Sequence, residues 1–215
     1  MSLDERYRIL FEPLKIGPVT APNRFYQVPH CNGMGYRDVS GMVALRAIKA
    51  EGGWGTVCTE QVEIHYTSEI TPFIELRIWD DRDVPLLARI TSAVHEYGSL
   101  AGIELAYNGI NGPNFYSREV PLGPSDLPTL TFTNDPVQAR AMTKSDIADL
   151  RRWHRKAALR AKSAGFDIIY VYGAHGFGAP QHFISRRFNH RTDEYGGSLK
   201  NRARLLVELI EDTKE

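Results

Sequence analysis

Two cysteines in 215 residues, Cys31 and Cys58, are too few for a disulfide framework, and their spacing matches no metal-ligand pattern. No apolar run approaches the roughly 18 residues that read as a membrane-spanning helix. Neither charge is in excess: Lys plus Arg and Asp plus Glu number 26 each, which leaves no electrostatic footprint for a nucleic-acid or anionic-membrane partner. The opening segment, MSLDERYRILFEP, carries charges where a secretory signal needs an apolar core, so a cytoplasmic protein is expected. What is there is a chain with 42% hydrophobic residues, long enough for one sizeable domain or two small ones.

Apolar, β-branched runs alternate with helical periodicity along the chain. Residues 9–20 read as a small hairpin or lid. Asn23–Pro29 reads as a first inner strand, stopping abruptly at PHCNGMG. A helical segment follows over Met42–Gly52, then a second strand over Gly55–Gln61, with Glu60 and Gln61 at its C-terminal end. Asp83–Tyr97 has the three- and four-residue spacing of an amphipathic helix, and Leu100–Leu105 reads as a third strand carrying Glu104. Residues 109–142 read as a long loop insertion or flap. Thr143-Lys-Ser-Asp146 starts the next helix as a capping box, Asp167–Tyr172 is a fourth strand, and Ser198 caps a last helix. Trp153, beside the apolar stripe of its helix, is read as a packing residue.

Four β-α units imply a parallel sheet with right-handed crossovers. They make half of a (β/α)8 barrel, and a whole barrel needs about 250 residues. The expected fold class is therefore α/β, with residues 1–215 the N-terminal half of an eight-stranded barrel with extended βα loops. A four-unit open α/β domain is the competing architecture and would have to shield two sheet edges.

The fourth strand leads into GAHGFGAPQHFISRRFNHRTDEYGGS. Tyr172 and His175 sit three residues apart where that strand ends, which is the working face of a parallel barrel. A loop this long and rich in Arg, His and aromatic groups suits a site, although the residues alone equally suit a surface connection.

RFYQVPHCNGMGYRD, KAEGGWGTVCTEQ, ELRIWDD, LAGIELAYNG and GFDIIYVYGAHG…RRFNHRTDEYGGSLKNRARLL together resemble the Old Yellow Enzyme group of FMN-dependent barrels. VPHC is similar to the amine-dehydrogenase branch of that group. The resemblance implies oxidation of a small amine, dimethylamine- or histamine-like, with an N-methyl amino acid as a further option. It implies that Cys31 forms a thioether to C6 of FMN, and that Val28, Pro29 and His30 line the flavin edge. It puts Glu104 against the flavin pyrimidine, where burial requires it to be protonated or given donors.

Tyr172 and His175 match the pair that stands beside the bound amine, and a Tyr–His hydrogen bond is expected to shift the phenol toward neutral pH. Gln61 replaces the aromatic residue of the trimethylamine enzyme. It offers an acceptor to N–H in place of a π face, which favours secondary or primary amines. No metal ligand set is expected in residues 1–215. A 4Fe–4S cluster, transfer of electrons to an electron-transferring flavoprotein, and a homodimer are implied for the full-length protein. The alternatives are an NAD(P)H-dependent ene-reductase or dienoyl-CoA reductase with non-covalent FMN, and a non-catalytic half-barrel.

Overall fold

A computed structural model describes residues 4–35, 37–70, 75–129 and 137–214. After a 3-10 turn over Glu5–Phe11, strands β1 (Leu14–Ile16) and β2 (Val19–Ala21) form an antiparallel hairpin, as the Pro and Gly punctuation suggested. Strand β3 (Tyr26–Gln27) is shorter than expected. The Asn23 side chain accepts from Phe25 N and donates to the Gly53 carbonyl, so side-chain bonds replace the ladder before Tyr26. Helix α1 (Val39–Glu51) starts three residues early because Asp38 caps it, accepting from Gly41 N at 2.8 Å.

Strand β4 (Thr56–Glu63) is buried along its whole length, as a central parallel strand must be. A two-residue strand β5 (Leu76–Arg77) pairs with its C-terminal end, Val62 opposite Leu76 and Glu63 opposite Arg77. Helix α2 (Val84–His95) leads to β6 (Leu100–Ala106). The expected insertion holds a small sheet of β7 (Leu122–Gly123), β8 (Leu127–Pro128) and β9 (Gln138–Ala141), with β9 in the middle. Residues 130–136 of that expectation lie outside the described residues.

Helix α3 (Lys144–Ser163) has the expected Thr143–Asp146 capping box, with Ile147, Leu150, His154, Ala157 and Ala161 buried. Strand β10 (Ile168–Val171) begins one residue late. Asp167 turns its carboxylate to Ala101 N and His95 Nε2, both at 2.8 Å.

Two features depart from the sequence reading. The long loop after β10 contains a six-residue helix, α4 (Ala179–Ile184), too short to show periodicity. The last helix is broken at Ala203 into α5 (Leu199–Arg202), capped by Ser198 as expected, and α6 (Arg204–Lys214). Arg202 and Arg204 hold the break by donating to the carbonyls of Ile184 and Glu194.

The main sheet runs β3-β4-β6-β10, all parallel and in chain order, as successive staves of a barrel do. One core joins the sheet to its helices: Met42 and Ala50 from α1, Leu87, Ile90 and Val94 from α2, Leu150 and Ala157 from α3, against Val57, Val62, Ile103 and Leu105. The C-terminal ends of the four staves consequently open on one side.

Candidate active site

A cavity of about 400 Å3 lies at those strand ends. Pro29, His30 and Cys31 reach it from the loop after β3, Gln61 from β4, Glu104 from β6, and Tyr172 and His175 from beyond β10. Seven of the eight residues singled out in the sequence converge here. Val28 does not: it is 60% exposed and is not among the residues that line the cavity. Two open grooves of about 450 and 520 Å3 lie elsewhere, along His190–Asp193 and between Asp81 and Arg160. In the first, Arg191 is already engaged by Asp193 and by the carbonyls of Pro124 and Met142. Trp153 is a packing residue as expected, stacked on His65 with ring centroids 3.6 Å apart.

The loop after β3 is fixed from beneath. His30 N donates to the Thr59 carbonyl at 3.2 Å, and the His30 carbonyl accepts from Nη2 of Arg46 at 2.7 Å. Arg46 is fully buried on α1 and also donates to Gln27 Oε1. Cys31 is thus presented to the cavity by a braced turn. Its thiol is open to solvent on one side, while burial on the others, with Glu75, Glu60 and Glu104 nearby, pushes its pKa up to about 11.

Gln61 and Glu104 are opposite each other in the β4–β6 register, which puts both at the same depth of the cavity. Gln61 is 5% exposed, and its Nε2 has no hydrogen-bond partner among the described residues. Such an orphaned donor favours an occupant that accepts from it. Burial raises the Glu104 carboxyl to about 7, so it donates as readily as it accepts near neutrality.

Tyr172 Oη lies 3.3 Å from Nδ1 of His175, the contact that the resemblance implied. The shift of the phenol is opposite to the one expected. Burial, then the Glu104 and Cys31 charges, push the Tyr172 pKa upward, which keeps the phenol protonated. His175 has φ of 59°, a left-handed conformation that a non-glycine residue adopts only when its surroundings impose it. Here α4 imposes it: Gly176 N donates to Gln181 Oε1 at 2.9 Å, and the Gly176 carbonyl is 3.0 Å from His182 Nε2. Burial lowers His182 to about 4, so its ring is neutral and Nε2 carries the donated hydrogen. Gly178, at φ 83°, closes the turn; a Cβ there would stand 3.1 Å from the Tyr172 ring.

Glu75 and Glu60 are the residues that sequence reasoning left out of the site. Glu75 lines the cavity, and its carboxyl is hydrogen-bonded to that of Glu60 on β4. Burial and the Glu60 charge raise Glu75 to about 7. ELRIWDD carried the family resemblance, but only the β5 pairing swings Glu75 over the strand ends. The FMN ring system needs donors and acceptors at its polar edge and an apolar wall elsewhere. Gln61, Glu104, Pro29 and Phe177 supply these, so the residues present fit the group.

Residues 9–215 match the NADH:flavin oxidoreductase / NADH oxidase family. The chain belongs to that family. It is 44% identical to dimethylamine dehydrogenase of Hyphomicrobium sp. (strain x), over 98% of this chain and 29% of that protein. It is 36% identical to an NADPH dehydrogenase of Bacillus licheniformis, over 97% of this chain and 60% of the relative.

Among solved structures, histamine dehydrogenase from Rhizobium sp. 4-9 superimposes with a TM-score of 0.96 at 66% identity, covering 99% of this chain and 32% of that one. The Old Yellow Enzyme homologue from Zymomonas mobilis gives 0.83 at 33% identity, covering 95% and 59%. The four staves are therefore part of an Old Yellow Enzyme-type (β/α)8 barrel, and the chain spans under a third of the amine dehydrogenases it matches. No described helix is long and apolar enough to cross a membrane.

Proposed function

We propose that the full-length protein is an FMN-dependent dehydrogenase of a small secondary or primary amine, dimethylamine- or histamine-like. The observation that carries this reading is the convergence of Cys31, Gln61, Glu104 and the Tyr172–His175 pair on one cavity at the strand ends. FMN supplies the two-electron acceptor for the C–H bond next to nitrogen. Pro29, His30 and Glu104 would hold it, and Cys31 would bond to it.

Around the cofactor, this chain's own residues manage the substrate. Gln61 accepts an N–H through Oε1, which a tertiary ammonium supplies less readily than a secondary one. Tyr172, kept neutral by burial, donates to or accepts from the amine, and His175 Nδ1 sets the direction of its hydroxyl. Glu75, ionised in part near neutral pH, favours a cationic occupant on its side of the cavity.

In the full-length protein a 4Fe–4S cluster held outside residues 1–215 would carry electrons to an electron-transferring flavoprotein, and the reading includes a cytoplasmic homodimer. The cluster, the electron-transfer partner and the dimer rest on the family resemblance, and the location rests on the charged opening segment.

Anaerobic titration of the full-length holoprotein tests the reading. Bleaching of the flavin absorbance by dimethylamine or histamine, and not by NADPH, is expected. Bleaching by NADPH alone, with reoxidation by an activated alkene, replaces this reading with that of an ene-reductase, which the similarity to NADPH dehydrogenases makes the competing one.

A further inference from the structure

Three reactive side chains meet at the cavity mouth. The Cys31 sulfur and carboxylate oxygens of Glu60 and Glu75 all lie within 4.8 Å of one another. They come from the loop after β3, the buried body of β4 and the residue preceding β5, so tertiary structure alone assembles them. Glu60 is committed to its surroundings. Burial raises its carboxyl above the ordinary carboxylate range, opposed in part by Asn32 N at 3.4 Å, Leu76 N at 3.3 Å and the Arg46 charge. Glu75 is half-buried and bonded to Glu60; Glu63 on β4, Glu104 on β6 and Tyr172 beyond β10 also bear on this corner, and His30 and His175 line the same cavity. An independent feature of the same cavity points to an occupant: Gln61, which lines it, is 5% exposed and its Nε2 has no hydrogen-bond partner among the described residues.

A thiol attacks an electrophilic carbon as its thiolate. With its pKa up at about 11, Cys31 is almost entirely protonated at neutral pH and needs a base. Glu75, at about 7, is ionised in a good fraction of molecules there and is basic enough to accept a proton.

We propose that Glu75, braced by its hydrogen bond to Glu60, is the general base that deprotonates Cys31 for covalent attachment of the flavin. This rests on the Cys31 linkage proposed above. The thiol proton passes to Glu75 as a sulfur electron pair forms the S–C6 bond. The hydrogen on C6 leaves as a proton, and the two electrons gained by the ring pass to dioxygen. One thiol, one FMN and one dioxygen thus give one thioether-linked FMN and one hydrogen peroxide, and Glu75 returns its proton to water.

The test follows attachment itself. Full-length apoprotein of the wild type, Glu75→Gln and Glu75→Asp is incubated in air with saturating FMN at pH 6 to 10. Visible absorbance counts bound flavin, and intact mass after acid denaturation counts linked flavin. Per bound flavin, the wild-type rate should rise through about pH 7 and level off. Glu75→Gln should be about a hundredfold slower at pH 7 and recover toward pH 10, as the thiol ionises unaided. Glu75→Asp should fall between them, and it supplies the comparison if the Gln variant binds no flavin. Attachment by Glu75→Gln at the wild-type rate, or slowing by the same factor at every pH, overturns the base role. A wild-type protein that releases all its flavin in acid overturns the linkage itself, a result distinct from a slow variant beside a linked wild type.

Discussion

Tyr172 and His175 are joined, Oη to Nδ1 at 3.3 Å, across a turn in which His175 is left-handed and the Tyr172 phenol is held protonated. The two facts belong together. A phenol with its pKa raised by burial does not act as a phenolate near neutrality, so its value lies in a directed hydroxyl, and direction is what the fixed turn supplies.

Tyr172→Phe removes that hydroxyl and little else, because the ring stays packed beside Gly178. In the full-length holoprotein, anaerobic flavin reduction by the proposed amine substrate should slow about a hundredfold, with thermal stability changed by no more than about 1 kcal/mol. An unchanged reduction rate would remove Tyr172 from the proton chemistry.

Gln61→Tyr puts a π face where an amide now stands, at a site only 5% exposed. A quaternary-like cation gains from such a face, whereas an N–H donor loses its acceptor. The ratio of kcat/KM for trimethylamine over dimethylamine should rise about tenfold. Steady-state kinetics with both amines checks this, and a ratio that stays put means that other walls of the cavity set the preference.

The staves and their order were legible because each is an apolar run that ends sharply in small or polar residues, as at Pro29, Gln61 and Tyr172. The α3 cap was legible because Thr143 and Asp146 have the capping-box spacing. Glu75 was not, since its place depends on two residues of β5 pairing with Val62 and Glu63. The direction of the Tyr172 shift was missed for a related reason. The resemblance paired His175 with the phenol, but the dominant influences are burial and Glu104, which arrive from other strands.

Glu104 ties the site to pH-dependent stability. Burial lifts its carboxyl from an ordinary value near 4.5 to about 7, so the folded state binds the proton more tightly than the unfolded one. The resulting stabilisation is fully present below about 4.5 and is lost as pH rises through about 7. Glu104→Gln, which carries no charge to bury, should therefore gain on the wild type as pH rises. The gain between pH 5 and pH 8 should be on the order of 2 kcal/mol, read as the difference in denaturation midpoints. A difference independent of pH would mean that Glu104 is solvated in the folded protein.

Gln181 and His182 grip the Gly176 peptide from its N–H and its carbonyl, one residue beyond His175. A left-handed non-glycine residue costs on the order of 1 kcal/mol and relaxes when its restraints are removed. Gln181→Leu deletes the acceptor for Gly176 N, leaving that amide without its partner at a cost of about 1 kcal/mol in stability. If the protein oxidises an amine as proposed, this variant should lower kcat about tenfold while changing KM less, because the other proposed contacts to the amine are kept but the Tyr172 hydroxyl loses its fixed partner. Gln181→Glu keeps an acceptor oxygen at the same reach and should restore most of the rate. Equal losses in both variants would make Gln181 a fold residue without influence on His175, and the left-handed turn would then be held by Gly178 and the α4 backbone alone.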